Sequence, residues 1–414
     1  MEDIFAKRMQ GVPRSFIREI LKVSMDPTVI SFAGGLPNPA FFPVKEIQHA
    51  TEKVFAKYGG DVLQYSNTEG DIQLREKISE RYLEKQGIAI APENIFVTNG
   101  SQQGIDLLGK VLLNDGDKVL MEEPGYLGTI QSLSLFRVQF LPVPVSDTGM
   151  DVEALEKASD CSGAKMLYTV PNFQNPSGIT YSNDNREDVA AIAKRNKFIL
   201  VEDNPYGELR FSGQPAKSFF HYAPDQTVLL GSFSKVVAPG FRLGWIAAPA
   251  WICEKLIIAK QAADLHTSSF SQKILCEFLQ ENDLDEHIKK ITDAYGTQCR
   301  AMQEALVRHF PASIGFTHPE GGMFLWGRLP NKMNSMELFQ EAVKENVVFV
   351  PGDPFYTGST NTSAFRLNFS CADPEKIEEG VKRMGRALEK FSALLQETCH
   401  SVKLTPPELM RTAG

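Results

Sequence analysis

A lysine that follows an apolar, strand-like segment is the first candidate for chemistry, in the string Gly231 to Lys235 (GSFSK). Ser232 and Ser234 carry hydroxyls, and Arg242 follows with a guanidinium; both kinds of group bind phosphate oxygens through hydrogen bonds. A lysine whose pKa is lowered by burial and neighbouring cations forms a Schiff base with an aldehyde. The string therefore predicts a site for a phosphate and an aldehyde, although a surface lysine in a serine-rich turn is the alternative.

Two further segments are placed to complete such a site. Asp203 directly follows the apolar run 197–202, and an acid at the end of a strand in an open α/β sheet commonly contacts the ligand. Its carboxylate can pair with a protonated pyridine nitrogen, which makes the ring accept electrons. Gly100 and Ser101 open a helical pattern, whose free N–H groups and dipole favour a phosphate. A turn aspartate and an ordinary serine N-cap are the alternative interpretations.

Two other polar residues are placed to bind organic functional groups. Asn175 lies in the Pro- and Gly-containing loop 171–178, directly after a strand, where it can hydrogen-bond a phenolate oxygen. Arg366 alternates with apolar residues in 365–369, a pattern that favours a cleft or a buried pair, and its planar guanidinium matches a carboxylate. A plain loop and a strand arginine in water are the alternatives.

The segments around these residues alternate between strand-like and helix-like patterns. Continuous apolar runs predict buried strands at 94–98, 117–121, 165–170, 197–202, 226–230 and 243–247, and helical patterns span 101–113 and 184–195. Strands joined through helices imply right-handed crossovers. We therefore predict an α/β fold, with a mostly parallel central sheet flanked by helices in the large domain.

The C-terminal third has a different pattern. Residues 270–306 look largely helical, strands are predicted at 323–327, 347–351 and 365–369, and helices at 335–345 and 374–396. This mixture predicts a smaller α+β domain. We divide the chain into an N-terminal arm and small-domain part at 1–44, a large ligand-binding domain at 45–310 and a small C-terminal domain at 311–414, with a loose tail after Leu404.

Composition excludes several classes of function. The 414 residues carry a formal net charge of −8 and an isoelectric point near 5.5, whereas a nucleic-acid surface shows a basic patch. No apolar run is long enough to span a membrane, and residues 1–10 lack the apolar core of a signal peptide. The six cysteines form no C-x-x-C pair. We therefore expect reduced thiols, no metal site and a cytoplasmic protein.

The order of these segments along the chain resembles that of the class I/II aminotransferases, the fold-type I enzymes that depend on pyridoxal 5′-phosphate. The string S-F-S-K-x-x-x-P-G-x-R-x-G-W, which runs from Ser232 to Trp245, is specific to that family. The resemblance extends from about Arg14 to Ala387. The segments 33–39 (AGGLPNP), 64–66 (QYS) and 122–126 (EEPGY) are similar to the subgroup of α-aminoadipate, kynurenine and multi-substrate aminotransferases.

The resemblance implies a role for each candidate at the cofactor. Lys235 would form the Schiff base and move the proton, Asp203 would pair with the pyridine nitrogen, and Tyr126 would stack on the ring as a third catalytic residue. Tyr206 and Asn175 would bind the phenolic oxygen. The residues that would hold the phosphate are Gly100, Ser101, Gln102, Ser232, Ser234 and Arg242.

The resemblance also implies substrate contacts and a partner. Arg366 would take the substrate α-carboxylate, assisted by Asn175 and the backbone at Gly35. Arg18 has two interpretations, either a ligand for acidic side chains or a solvated helix charge. Tyr65 would reach the phosphate of the neighbouring subunit, which implies a homodimer with shared sites.

The implied reaction moves an amino group between an L-amino acid and a 2-oxo acid, through a Lys235 aldimine and pyridoxamine phosphate. Glutamate and 2-oxoglutarate are expected as one pair; leucine, aromatic amino acids, α-aminoadipate and kynurenine stay open as donors. A pyridoxal-phosphate-dependent β-lyase and a non-catalytic binding protein of the same fold are the alternatives. Some relatives bear an N-terminal DNA-binding domain, but the 33 residues before Gly34 are too few for it, so we expect no regulator.

Overall fold

The computed structural model describes residues 4–9, 20, 26–160, 162–330, 333–358 and 362–403. Its strands are β1 (Ile30–Ser31), β2 (Ile95–Thr98), β3 (Lys118–Glu123), β4 (Gln139–Ser146), β5 (Gly149–Met150), β6 (Met166–Thr169), β7 (Ile199–Asp203), β8 (Thr227–Ser232), β9 (Gly244–Ala247), β10 (Gly315–Phe316), β11 (Phe324–Arg328), β12 (Val347–Val348), β13 (Val350–Pro351) and β14 (Ala364–Asn368).

The helices lie mostly between these strands. They are α1 (Val44–Tyr58), α2 (Ile72–Gln86), α3 (Ser101–Leu112), α4 (Leu127–Ser134), α5 (Val152–Asp160), α6 (Asn183–Asn196), α7 (Ala250–Ala263), α8 (Ser269–Glu281), α9 (Leu284–His309), α10 (Ser335–Lys344) and α11 (Pro374–Lys403). Short polar side chains cap several of them: Asp71 accepts from backbone N–H groups of α2, Ser182 from α6 and Asp283 from α9.

The large sheet has the strand order β2-β9-β8-β7-β6-β3-β4-β5. Its central strands β4, β3, β6, β7 and β8 run parallel, whereas β9 and β5 are antiparallel to their neighbours. Every residue of β6, β7 and β8 is buried, as continuous apolar runs require when helices cover both faces. The predicted α/β fold with a mostly parallel sheet is therefore confirmed.

Strands β4 and β5 were not predicted from the sequence. Strand β4 contains Pro142 and Pro144, and its residues are mostly half-buried or exposed, because it lies near one end of the sheet. Proline lacks the backbone N–H that a central strand donates, so this segment does not show the pattern of a buried strand. Its pairing with β3 over six aligned residue pairs depends on the rest of the sheet.

The C-terminal third forms an antiparallel sheet with the order β10-β11-β14-β13. The strand predicted at 347–351 is wrong as a single element, because Val347–Val348 pairs with β1 whereas Val350–Pro351 pairs with β14. The last helix continues to Lys403, beyond the predicted residue 396. The tail after Leu404 lies outside the described residues, and the division of the chain at residues 44 and 310 stays a prediction.

The segment that follows β1 links the smaller sheet to the long helix α9. Phe32 donates its N–H to the Val348 carbonyl and accepts from Asn368 N–H, both at 2.8 Å. Farther along, the N–H of Asn38 donates to the Tyr295 hydroxyl at 3.0 Å. Within the described residues, no helix is long and apolar enough to cross a membrane.

Close contact between β9 and the start of α3 generates a prediction about stability. A Cβ atom on Gly244 would lie 2.6 Å from the Ser101 nitrogen and 2.7 Å from the Gly100 carbonyl carbon. Gly244→Ala should lower the free energy of unfolding by about 1–3 kcal/mol, because backbone must move to admit the methyl group. Urea denaturation measures this loss. Gly315→Ala is the matched control, since a Cβ there meets nothing within 4 Å; equal losses in both variants would contradict the prediction.

Candidate active site

A cavity of about 290 Å³ opens where β7 and β8 end. It collects all the predicted site residues except Tyr65 and Arg18. Its predicted lining residues are Gly35, Gly100, Ser101, Gln102, Tyr126, Asn175, Asp203, Tyr206, Ser232, Ser234, Lys235, Arg242 and Arg366. The lining residues that the sequence did not single out are Leu36, Val170, Pro205 and Pro239.

Lys235 follows β8 on a turn that the buried side chains of Val236 and Val237 anchor in the core. Its Nζ donates to the backbone carbonyl of Gly35 at 2.8 Å and lies 5.8 Å from the centre of the Tyr206 ring. Burial lowers the pKa of the amine to about 8, and the charge of Arg366 acts in the same direction. A large fraction of the amine is therefore neutral slightly above neutral pH, and the neutral form is the nucleophile.

Asp203 is the last residue of β7, and its side chain is buried. Its Oδ2 accepts a hydrogen bond of 2.5 Å from the Tyr168 hydroxyl, whereas its Oδ1 has no hydrogen-bond partner among the described residues. Burial raises the pKa of the carboxyl to about 7, the Tyr168 hydrogen bond opposes this rise, and Glu122 adds to it. A buried acceptor left free in a cavity is available for a donor on a ligand.

Arg366 and Asn175 form a polar pair at the side of the cavity that faces the smaller sheet. Arg366 donates from Nη1 to Asn175 Oδ1 and from Nη2 to the Ala33 carbonyl, both at 2.7 Å, while its Nε has no partner among the described residues. The guanidinium carbon lies 4.4 Å from the centre of the Phe324 ring. Asn175 Nδ2 lies 3.5 Å from the Tyr206 hydroxyl, so this amide connects the arginine to the phenol.

The start of α3 and Arg242 form a corner of the cavity suited to an anion. Gly100 caps α3 with a φ of 76°, a conformation that favours glycine, and a Cβ there would lie 2.7 Å from Arg242 Nη2. The same Nη2 lies 3.4 Å from the Asn99 carbonyl. Free N–H groups, the helix dipole and a guanidinium together favour a phosphate at this corner.

Tyr126 caps α4 at another wall of the cavity. Burial raises the pKa of its phenol to about 12, with a further contribution from Asp203, so the hydroxyl stays protonated at neutral pH. The N–H of the preceding Gly125 donates to the Phe355 carbonyl at 2.8 Å, which ties this loop to the C-terminal third of the chain.

A buried carboxylate that the sequence did not single out holds the loop 171–178. Glu122 accepts from the Thr169 hydroxyl at 2.6 Å, the Tyr181 hydroxyl at 2.7 Å and Gln174 Nε2 at 2.8 Å. The same Gln174 nitrogen donates to the Pro124 carbonyl at 2.8 Å. The loop that carries Asn175 is thereby fixed to the end of β3. The string EEPGY marks the position of Glu122 in the sequence, but not its partners.

A buried arginine supports the same loop from its other side. Arg186 is 0% exposed, and it donates to the Tyr181, Lys217 and Pro171 carbonyls and to Asn172 Oδ1 over 2.7 to 3.1 Å. A buried guanidinium without such acceptors would be costly. The contacts explain why a charged residue of α6 faces the core, although the sequence shows only a polar helix.

Two predicted residues stand apart from the cavity. The side chain of Tyr65 is 79% exposed, and its ring lies edge-on to His266 at 5.8 Å between centroids. A single chain therefore does not bring Tyr65 to the cavity. Arg18 lies outside the described residues, and its two interpretations stay open.

Comparisons with known proteins identify the family of this chain. A family model for aminotransferase class I and II matches residues 29–384. Aromatic-amino-acid aminotransferase 1 of Thermococcus litoralis is 40% identical over 395 residues, which cover 94% of this chain and 95% of that protein. Multiple substrate aminotransferase from Thermococcus profundus superposes with a TM-score of 0.91 at 37% identity, covering 95% of this chain and 99% of that one.

A third relative has been solved with a ligand. The α-aminoadipate aminotransferase LysN from Thermus thermophilus, complexed with N-(5′-phosphopyridoxyl)-L-leucine, superposes with a TM-score of 0.88 at 38% identity. The match covers 95% of this chain and 99% of that chain.

The burial of Lys235 generates a prediction about its reactivity. In the apoprotein, acetylation of Lys235 should show a midpoint near pH 8, because only the neutral amine reacts and burial lowers its pKa. Competitive labelling between about pH 6 and pH 11, read by peptide mass spectrometry, measures it. Arg366→Gln should move the midpoint upward, since it removes a neighbouring positive charge. A wild-type midpoint near the ordinary lysine value of about 10.4 would contradict the assignment.

Proposed function

This chain belongs to the class I and II aminotransferases, and we propose that glutamate and 2-oxoglutarate are one of its substrate pairs. The enzyme moves an amino group between an L-amino acid and a 2-oxo acid. The proposal for its site rests on one cavity, which holds the Lys235 amine, Asp203 Oδ1 and the Arg366 guanidinium. That oxygen has no hydrogen-bond partner among the described residues. These three groups match, in turn, an aldehyde, a ring nitrogen and a carboxylate.

Pyridoxal 5′-phosphate is the cofactor of this family, and the residues present fit it. The unpartnered Oδ1 of Asp203 is a buried acceptor suited to a protonated pyridine nitrogen. The corner formed by the start of α3 and Arg242 supplies donors and positive charge for the phosphate, with Ser101, Gln102, Ser232 and Ser234 around it. The Asn175 amide and the Tyr206 hydroxyl lie together as donors for the phenolic oxygen.

The bound cofactor supplies an aldehyde carbon for the amino group and an aromatic ring that delocalises the electron pair left at the substrate Cα. The chain supplies the proton transfer. Lys235 would be the base that removes the substrate α-proton and later returns it, since its lowered pKa leaves an accessible neutral amine. Asp203 would hold positive charge at the ring nitrogen, and Tyr126 closes one wall of the cavity.

Arg366 retains the donors that a substrate carboxylate needs. A guanidinium has five N–H groups, of which the Asn175 and Ala33 contacts use two. The remaining N–H groups include the unpartnered Nε, so a bidentate contact to an α-carboxylate is available. Because the arginine is buried, the contact would be shielded from water and strengthened, with Asn175 and the backbone of Gly35 beside it.

We extend the proposal to a broad set of donors: aromatic amino acids, leucine and α-aminoadipate. Support comes from relatives whose names refer to aromatic amino acids, multiple substrates and α-aminoadipate. The free thiols of Cys253, Cys276, Cys299 and Cys371 support a reducing, cytoplasmic location.

The first test is a half-reaction with glutamate alone. The wild-type protein loaded with pyridoxal phosphate should convert it to pyridoxamine phosphate and release an equal amount of 2-oxoglutarate. Absorbance reports the cofactor, and a coupled assay reports the oxo acid. With a cysteine S-conjugate as the substrate in place of glutamate, release of pyruvate and ammonia without an acceptor would instead favour a β-lyase. Cofactor binding without conversion of any tested amino acid would favour a binding protein.

The matched variants for this test are two lysine substitutions. Lys235→Ala should lower turnover by at least about a thousandfold while the fold is retained, because it removes both the base and the amine nucleophile. Lys289→Ala removes a lysine of α9 that is exposed and paired with Asp293, so its turnover should equal that of the wild type. Substantial transamination by Lys235→Ala would overturn the assignment.

We also propose that the chain acts as a homodimer in which Tyr65 of one subunit reaches the phosphate corner of the other. Tyr65 lies in an exposed apolar area with Leu63 and Leu265, which are 68% and 45% exposed. Such a surface suits burial against a second copy. Its position outside the cavity of its own chain is compatible with a role across the interface.

Mixed dimers test this shared site. Lys235→Ala and Tyr65→Ala should each be nearly inactive at low cofactor concentration, because one lacks the base and the other a phosphate ligand. Co-expression should restore up to about a quarter of wild-type activity, since a mixed dimer has one intact site when the two residues come from different chains. No recovery, in mixed dimers verified by differential tags, would show that both residues serve the same chain's site.

A further inference from the structure

Tyr168 contacts Asp203, the carboxylate that faces the ring side of the proposed cofactor site among the described residues. It lies in β6, is 1% exposed and donates to Asp203 Oδ2 at 2.5 Å. Strands β6 and β7 are parallel neighbours, with Tyr168 aligned to Val201. Because residues two apart share a face of a strand, Tyr168 and Asp203 project on the same face. The register of the sheet therefore sets this contact.

The hydrogen bond makes the two oxygens of Asp203 different. Oδ2 is held by Tyr168, whereas Oδ1 is buried without a partner among the described residues, and Asp203 lines the cavity. Tyr168 itself is not among the cavity-lining residues. Fixing one oxygen restricts rotation of the carboxylate, so that the other is presented to the cavity before any ligand arrives.

We propose that Tyr168 is a positioning residue for the reaction, which acts through Asp203 by orienting the carboxylate toward the cofactor's ring nitrogen. This inference rests on the proposed role of Asp203. Tyr168 touches neither the substrate nor the cavity; its contribution is to hold the free oxygen in place and to stabilise its charge. A donor to a carboxylate favours the ionised form, and the ionised form holds the proton on the ring nitrogen.

The surroundings of Tyr168 keep its hydroxyl protonated, so it remains a hydrogen-bond donor. Burial, with the nearby charge of Asp203, raises the pKa of the Tyr168 phenol well above its ordinary value, so the hydroxyl keeps its proton. Its hydrogen bond lowers the pKa of Asp203 against the effect of burial. Tyr168 therefore opposes the tendency of the desolvated Asp203 carboxyl to become neutral.

Tyr181 provides a matched control in the same molecule. It is also a fully buried tyrosine, and its hydroxyl also donates to a buried carboxylate, Glu122, at 2.7 Å. Tyr168→Phe and Tyr181→Phe thus remove the same group from the same kind of partner. Only the first removes a contact to Asp203. Both variants should lose stability in general, whereas only the effect of Tyr168→Phe should depend on the side chain at position 203.

The experiment combines each substitution with Asp203→Ala in full-length protein. In the wild-type background, Tyr168→Phe should weaken pyridoxal phosphate binding to the apoprotein and lower kcat, each by about tenfold, with KM for glutamate within about threefold. In the Asp203→Ala background, the same substitution should change binding by less than about threefold, because no side-chain oxygen remains at position 203 to accept from Tyr168. Tyr181→Phe should have the same effect in both backgrounds.

A spectroscopic signature complements these affinities. With the cofactor labelled by ¹⁵N in its ring, Tyr168→Phe should move the nitrogen signal toward that of the unprotonated pyridine, and Tyr181→Phe should leave it in place. If Tyr168→Phe does not fold, 3-fluorotyrosine at position 168 retains the hydroxyl. Its ¹⁹F signal should then shift when pyridoxal phosphate is added to otherwise wild-type protein, and stay unchanged in Asp203→Ala.

The outcomes separate this inference from the proposed function. Equal effects of Tyr168→Phe in both backgrounds, or an unchanged ¹⁵N signal, would overturn the positioning role while wild-type transamination stands. In the fluorotyrosine protein, an unmoved ¹⁹F signal would overturn it as well. A wild-type protein that binds pyridoxal phosphate but does not react with amino acids would refute the proposed function, and the coupling between Tyr168 and Asp203 would still be measured through binding.

Discussion

The parallel register of β6, β7 and β8 is the constraint on which the site depends. Tyr168 of β6 is aligned with Val201 of β7, and Val201 with Val228 of β8, so the three strands end at the same edge of the sheet. Asp203 and the turn that carries Lys235 consequently open into the same cavity. A shift of β7 by one residue would turn Asp203 to the opposite face and separate it from Tyr168. These strands resist such a shift because their side chains are buried on both faces of the sheet.

Burial at this edge determines the acid–base properties of the site. It raises the pKa of Asp203 to about 7 and lowers that of Lys235 to about 8, so both groups titrate near neutral pH. Asp203 Oδ1 and Arg366 Nε, which have no hydrogen-bond partner among the described residues, are polar atoms available to a ligand. The networks around Glu122 and Arg186 hold the loop of Asn175 in place. A site prepared for a ligand needs such a rigid surround.

The segment after β1 joins the site to the smaller sheet. Its Ala33 carbonyl accepts from Arg366 and its Gly35 carbonyl accepts from Lys235. The residue proposed to bind the substrate carboxylate and the residue proposed to move the proton thus contact the same short stretch of backbone. A displacement of this stretch would change the environment of both, which links the position of the N-terminal segment to the chemistry of the cavity.

The sequence by itself determined the fold class, the central buried strands and nearly all the side chains that line the cavity, because these follow from local patterns and from motifs near strand ends. It did not reveal Tyr168, which looks like any residue of an apolar strand, or the hydrogen-bond partners of Glu122 and Arg186. The pattern at 347–351 also predicted one strand where the structure has β12 and β13. These features depend on contacts between distant residues, such as Arg366 with Ala33, 333 positions apart. Only the tertiary structure decided them, since the free energy of such a contact arises when packing brings the two groups together and removes water.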